Sequence, residues 1–217
     1  LGMGKGLSNG VMGGFSGWAT NSFFIWTQST SLPYAGFKRG RSFDFDNGDI
    51  AAIKAVDGVD QVAPRLQLGG YMGANNVSYK DKNGGFSVNG DMPAVLHFQS
   101  VTLDRGRFLN QKDIRDERKV CVLGPEVVKT LFGAEEPLGK YIRIQGVYFQ
   151  VVGSYEPKAS AMGDDGEAST IYIPFTTFQK AFNSLNMVHW FSVSAKPGVP
   201  ASQVQERVKR MLSERHK

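Results

Sequence analysis

The chain has 217 residues, a hydrophobic fraction of 41%, and 25 basic against 20 acidic residues, for a formal net charge of +5. That composition excludes a disordered polyelectrolyte, the length admits one large domain or two small ones, and no stretch is apolar for long enough to cross a membrane. Basic residues are dispersed except near the end, at Arg207, Lys209, Arg210, Arg215 and Lys217, which is a poor nucleic-acid footprint; the single Cys121 excludes an internal disulfide.

In chain order, residues 1–15 lack a cap and read as the emerging end of a helix. Residues 18–31, WATNSFFIWTQSTS, are aromatic, β-branched and hydroxyl-rich, which suits a long strand. Asp46 and Asn47 cap a short helix with Ile50, Ile53 and Val56 on one face and Gly58 behind it. Val62, Pro64, Leu66 and Leu68 then alternate with polar residues, as a half-buried strand requires.

Further on, residues 71–80 and 86–88 flank the turn DKNGG at 81–85, a hairpin pattern. The apolar run VCVL around Cys121 reads as a buried strand, with the thiol a small hydrophobe rather than a nucleophile. Pro125 after Gly124 opens a helix whose buried face is Val127, Val128, Leu131 and Phe132, and Gly133 closes it. Ile142 and Ile144, then Val147, Phe149 and Val151, alternate on either side of Gln145 and Gly146.

The last quarter reads strand (171–173), helix (Phe178, Ala181, Phe182, Leu185), strand (188–195). Behind Pro200 an amphipathic helix runs to the final residue with Val204, Val208, Met211 and Leu212 in one stripe. Both ends thus read as severed helices, so the chain is expected to be part of something larger, with the stripe packing on the N-terminal helix as a two-helix stalk.

The expected class is α+β. A mixed α/β subdomain is built from both chain ends, 1–74 and 158–217, because its two strand–helix–strand parts each need an apolar partner layer. A β-rich subdomain, 75–157, is inserted into it.

Chemistry-bearing groups do not converge. His97, His189 and His216 lack metal-ligand spacing, and neither a Gly-x-Ser-x-Gly elbow nor a Gly-x-x-x-x-Gly-Lys-Ser/Thr phosphate cradle occurs. Asp164, Asp165 and Glu167 form the most acidic spot, but this Gly-interrupted loop lacks the ligand positions of a calcium loop. Those three, with Arg105 and Arg107 in a turn beside Phe108 and Leu109, are candidate partner or cargo contacts. Phe23, Phe24, Trp26 and Trp190 could line an acyl groove, although strand aromatics more often fill a core. No catalytic, cofactor or metal residue is assigned.

The strings LDRGRFLNQKD (103–113), KVCVLGPEVVKTLFG (119–133), EPLGKYIRI (136–144), FQVVGSYEPK (149–158) and IYIPFTTFQKAF (171–182), in this order and spacing, resemble the extracytoplasmic core domain of MacB-like ABC transporter permeases. The opening NGVMGGFSGWATNSFF is similar to the start of that domain. The resemblance implies a periplasm-facing domain of an inner-membrane protein, lying between the first two of four membrane helices and divided into a porter-like and a sabre-like subdomain. It implies a second permease subunit, an ABC ATPase subunit or domain, and a periplasmic adaptor with an outer-membrane exit protein as partners. It further implies that ATP hydrolysis elsewhere drives this domain mechanically, with no cofactor of its own. A lipoprotein-releasing permease domain, or transmission of a signal to a periplasmic partner, would share the fold.

Overall fold

The structure, a computed structural model, describes residues 21–26, 44–68, 75–99, 101–156 and 165–217. The expected helix end at 1–15 and the flanks of the strand at 18–31 lie outside these residues. In chain order the strands are β1 (Ser22–Trp26), β2 (Val59–Leu68), β3 (Val77–Tyr79), β4 (Lys82–Gly84), β5 (Ser87–Asp91), β6 (Leu103–Gly106), β7 (Val120–Leu123), β8 (Tyr141–Ile144), β9 (Val147–Tyr155), β10 (Thr170–Pro174) and β11 (Trp190–Ala195). The helices are α1 (Asn47–Lys54), α2 (Val95–Phe98), α3 (Gln111–Arg115), α4 (Pro125–Leu131), α5 (Asp165–Ala168), α6 (Phe175–Ala181) and α7 (Ala201–Arg215). The α+β class follows the sequence expectation.

Backbone contacts gather into two units. One takes the described residues up to Pro64, those of Ala94–Ser100, and Asn186–Lys217; the other takes Arg65–Pro93 and Val101–Leu185. The sequence reading divides the chain at 74/75 and 157/158 instead. Three segments fall differently: the end of β2 and the β10–α6 pair lie in the second unit, and α2 lies in the first. The physical reason for β10 is its pairing, parallel to β5 and antiparallel to β7, which a local strand–helix–strand pattern does not encode.

In the first unit the strand order is β1–β11–β2. β1 and β11 are antiparallel with Ser22 opposite Ser194 and Trp26 opposite Trp190. Phe45 and Phe191 meet edge to face at 5.1 Å, and Ile53 and Val193 of the same unit are wholly buried. The α7 stripe belongs to this core: Val204 and Val208 are fully buried and Leu212 nearly so, packed on α1, β1 and β11. Val204, Val208 and Leu212 of the expected stripe thus belong to this core, and the N-terminal helix that the stripe is expected to meet lies outside the described residues.

In the second unit the order is β2–β5–β10–β7–β9–β8–β3–β4, with β6 also on β9. Gln145 (φ 46°) and Gly146 (φ 84°) form the two-residue connection that sets Ile144 opposite Val147, as the Gln-Gly step predicts. The other hairpin is tighter than expected. Its turn is Lys80 (φ 52°) and Asp81, and Lys82–Gly84 already pairs with β3. Beyond it, Asn76 grips Phe86 twice, its Nδ2 donating to the Phe86 carbonyl at 2.8 Å and its Oδ1 accepting from the Phe86 N–H at 2.9 Å. The chain then departs into β5, which pairs with β2 and β10.

Helix α4 starts on Gly124 and Pro125 and is followed by Gly133 at φ 60°, with Val127 and Leu131 buried as expected. Helix α6 stops earlier than its apolar spacing suggests: Asn183 sits at φ 51°, and Leu185, expected on the buried face, is 73% exposed.

Candidate functional site

Helix α1 opens with a capping box. The Asp49 N–H donates to Asp46 Oδ1 at 3.0 Å and the Asp46 N–H donates to Asp49 Oδ2 at 2.9 Å. Asp49 is wholly buried, and the end of α7 closes over it. Arg215 Nε donates to Asp49 Oδ1 at 2.7 Å, its Nη2 reaches Asp46 Oδ1 at 3.3 Å, and His216 Nε2 lies 2.9 Å from Asp49 Oδ2. The start of α7 is held as well: Asn21, at φ 62°, accepts from the Ala201 N–H at 3.0 Å and donates through Nδ2 to the Val199 carbonyl at 3.0 Å.

Asp46, Asp49 and His216 present ligand atoms within 4.8 Å of one another, the geometry in which a cation could sit. Here the carboxylate oxygens already accept from two backbone N–H groups and a guanidinium, so the arrangement works as an ion-pair node that fastens one helix end to another. Histidine spacing could not reveal it, since Asp49 and His216 are 167 positions apart.

A parallel arrangement stands in the second unit. Asn110 and Asp113 form the capping box of α3, a helix the sequence reading left out although its Asn-x-x-Asp signature is present. Arg107 donates to the fully buried Asp113 at 2.7 and 3.1 Å, and Arg118 lies 3.6 Å away. Burial pushes the Asp113 carboxyl up, but the hydrogen bonds from Arg107 and the Asn110 backbone, with both guanidinium charges, hold it below the usual carboxylate range.

A third pair, Arg65 and Asp91, is bidentate at 2.8 Å with side chains 11% and 1% exposed. Burial lifts the Asp91 carboxyl above its ordinary value despite the adjacent guanidinium. Asn89, two residues before Asp91 on the same face of β5, carries a buried Oδ1 without a hydrogen-bond partner.

The candidate residues from the sequence do not gather into one site. Arg105 is half-exposed and pairs with Glu136, whereas Arg107 is committed to Asp113. Asp164 lies outside the described residues, and from Asp165 the segment forms the short helix α5 rather than a loop. The Tyr155 hydroxyl reaches the Glu167 and Thr170 carbonyl oxygens at 2.6 and 2.8 Å. Cys121 is wholly buried and burial pushes its thiol up, away from thiolate chemistry. His97 is exposed, 3.9 Å from Asp60, and burial outweighs Asp44 in pulling His189 below its ordinary value. Phe23, Phe24 and Trp190 are half-buried, and Trp26 is 37% exposed.

Fold and charged groups together define an α+β domain in which the buried carboxylates Asp49, Asp91 and Asp113 each tie one segment to another through a guanidinium. No described helix is long and apolar enough to cross a membrane. The chain belongs to the family of MacB-like periplasmic core domains, which matches residues 1–211.

Among its relatives, the macrolide export ATP-binding/permease protein MacB of Bdellovibrio bacteriovorus is 26% identical over 170 residues, covering 78% of this chain and 25% of that protein. The pyoverdine export ATP-binding/permease protein PvdT of Pseudomonas aeruginosa is 25% identical over 217 residues, 100% of this chain and 31% of that protein. The chain thus spans a quarter to a third of these relatives' length. The same fold occurs in the periplasmic region of MacB from Actinobacillus actinomycetemcomitans, with TM-score 0.74, 18% identity, and 92% and 86% of the two chains covered. It also occurs in the extracellular domain of the noncanonic ABC-type transporter YknZ from Gram-positive bacteria, with TM-score 0.73, 20% identity, and 90% and 95% covered.

Proposed function

We propose that this chain is the periplasm-facing domain of an inner-membrane ABC transporter permease, and that it converts ATP hydrolysis elsewhere in the transporter into movement that exports cargo. The observation that carries the reading is α7, a helix of 15 residues, about 22 Å long, pinned by Asn21 at its start and by Asp49 at its end. A rod fixed at both ends to one unit moves that unit as a rigid piece. The names of the relatives, macrolide export and pyoverdine export, point to small-molecule cargo.

On this reading a membrane helix precedes and another follows the domain, a second permease subunit pairs with it, and an ABC ATPase supplies the work. A periplasmic adaptor and an outer-membrane exit protein complete the route. The porter-like part is proposed to comprise 1–74 and 158–217, with 75–157 as the sabre-like insert.

The test is Arg215→Gln in the full-length transporter, a change at a half-exposed side chain that spares the core. Export should fall by about tenfold while ATP hydrolysis continues, the signature of lost coupling. Unchanged export per ATP hydrolysed would sink the lever reading.

A further inference from the structure

Two arginines of α7 cross the two ends of α1, and a glycine lies beside each guanidinium. Past the end of α1, Arg207 Nη1 donates to the Asp57 carbonyl at 3.0 Å and lies 3.7 Å from the Asp57 carboxylate. Gly58 comes next, and a Cβ there would stand 3.0 Å from Val204 Cγ2 and 3.2 Å from Arg207 Nη1. At the start of α1, Arg215 reaches Asp49 Oδ1 through Nε and Asp46 Oδ1 through Nη2, and Gly48 lies under the guanidinium. A Cβ on Gly48 would stand 2.5 Å from Arg215 Nη2, 3.6 Å from Arg215 Cζ and 3.0 Å from Asp46 Oδ1.

The two glycines have different reasons to be there. Gly58 sits at φ 91°, where any side chain is strained, so its backbone alone accounts for it. Gly48 is the second residue of a regular helix and is exposed. At such a position glycine weakens a helix relative to alanine, because more backbone freedom is lost on folding. Capping does not ask for it either, since the capping box is made by Asp46 and Asp49 on either side. Space is the remaining reason. Carbon and nitrogen atoms that are not bonded pack best about 3.5–4 Å apart, so a Cβ at position 48 and the guanidinium exclude one another in the observed pose.

The atom that must yield is the tip of a half-exposed side chain, so the collision moves the guanidinium and leaves the helix in place. The guanidinium is a rigid plane, and shifting Nη2 therefore also turns Nε away from Asp49. We infer that Gly48 is a positioning residue that acts through Arg215. Its bare backbone leaves the space in which one guanidinium reaches both carboxylates, and a side chain at position 48 opens the joint between α1 and α7 while α1 stays folded. The consequence for export rests on the lever reading, whereas the seat itself does not.

The experiment compares Gly48→Ala in two backgrounds of the 217-residue chain, wild type and Arg215→Gln, by urea unfolding. Glutamine ends where Nε stands and lacks the Nη2 that meets the added Cβ. Helix propensity, unfolded-state entropy and the 3.0 Å approach to Asp46 are common to both backgrounds and cancel in the comparison. Gly48→Ala should raise the folding equilibrium constant at least about threefold more in Arg215→Gln than in wild type. By NMR, the Arg215 Nε–H should exchange with water at least about fivefold faster in Gly48→Ala than in wild type, a change that altered helix propensity alone does not produce. Equal effects of Gly48→Ala in the two backgrounds would overturn the inference, and so would an unchanged Nε–H exchange rate. Export per ATP hydrolysed by full-length Gly48→Ala keeps the two readings apart: if the background dependence holds while export is unchanged, the lever falls and the seat stands.

Discussion

Arg215 and Asp49 stand 166 positions apart and are joined by a 2.7 Å hydrogen bond from Nε to Oδ1, which fastens the last turn of α7 to the first turn of α1. The carboxylate is wholly buried and the guanidinium half-exposed, so the partners are unequal. Removing the acceptor takes the partner from the Asp46 N–H, from Arg215 Nε and from His216 Nε2, whereas removing Arg215 leaves Asp49 with its backbone and histidine partners.

Asp49→Ala should therefore cost about 2–3 kcal/mol, from loss of the cap and of a buried pair, and Arg215→Gln about 1 kcal/mol. Urea unfolding of both variants checks the order. Equal losses would show that the acid is not the keystone.

The Arg65–Asp91 pair should behave oppositely to a simple stabiliser. Asp91→Asn leaves a buried guanidinium without its counter-charge and should lose about 3 kcal/mol, while the double change Arg65→Met with Asp91→Leu should fall within about 1 kcal/mol of the wild type. A double-mutant cycle by chemical denaturation measures this.

Asp113 supplies the acid sensitivity. Its folded value is held below the ordinary one, so its contribution is complete above the unfolded value of about 4 and disappears as the pH drops through the folded value. The stability gap between wild type and Asp113→Asn should be flat near neutrality and close below about pH 4. Denaturant midpoints from pH 7 to 2.5 test it, and a gap that widens on acidification would reverse the sign.

Phe149→Asp should collapse the second unit, at a cost above about 4 kcal/mol, because it places an unpaired charge where exposure is zero. The adjacent Tyr148→Asp, at an exposed position, should melt like the wild type. Circular dichroism of the pair distinguishes the two faces of one strand.

The features legible from sequence were those whose signals are local. The Gln145–Gly146 connection, the Gly124–Pro125 start and Gly133 stop of α4, and the α7 stripe all rest on backbone preference or periodicity within a few residues. Leu185 misled because apolar spacing continued past Ala181 while the backbone turned left-handed at Asn183. The Asp49–Arg215–His216 node was invisible for a different reason. Only its capping half is local, and the rest arrives from the far end of the chain. The neighbours of β10 are likewise a matter of pairing, which its own residues do not specify.

The pinning of α7 by Asn21 at one tip and Asp49 at the other also fixes how loads reach it. A pull on the backbone at position 21 bears on the first turn, and a pull at position 217 bears on the last, about 22 Å away. On the proposed lever reading, two such pulls of unlike direction would sum to a torque, turning the helix about its middle rather than sliding it.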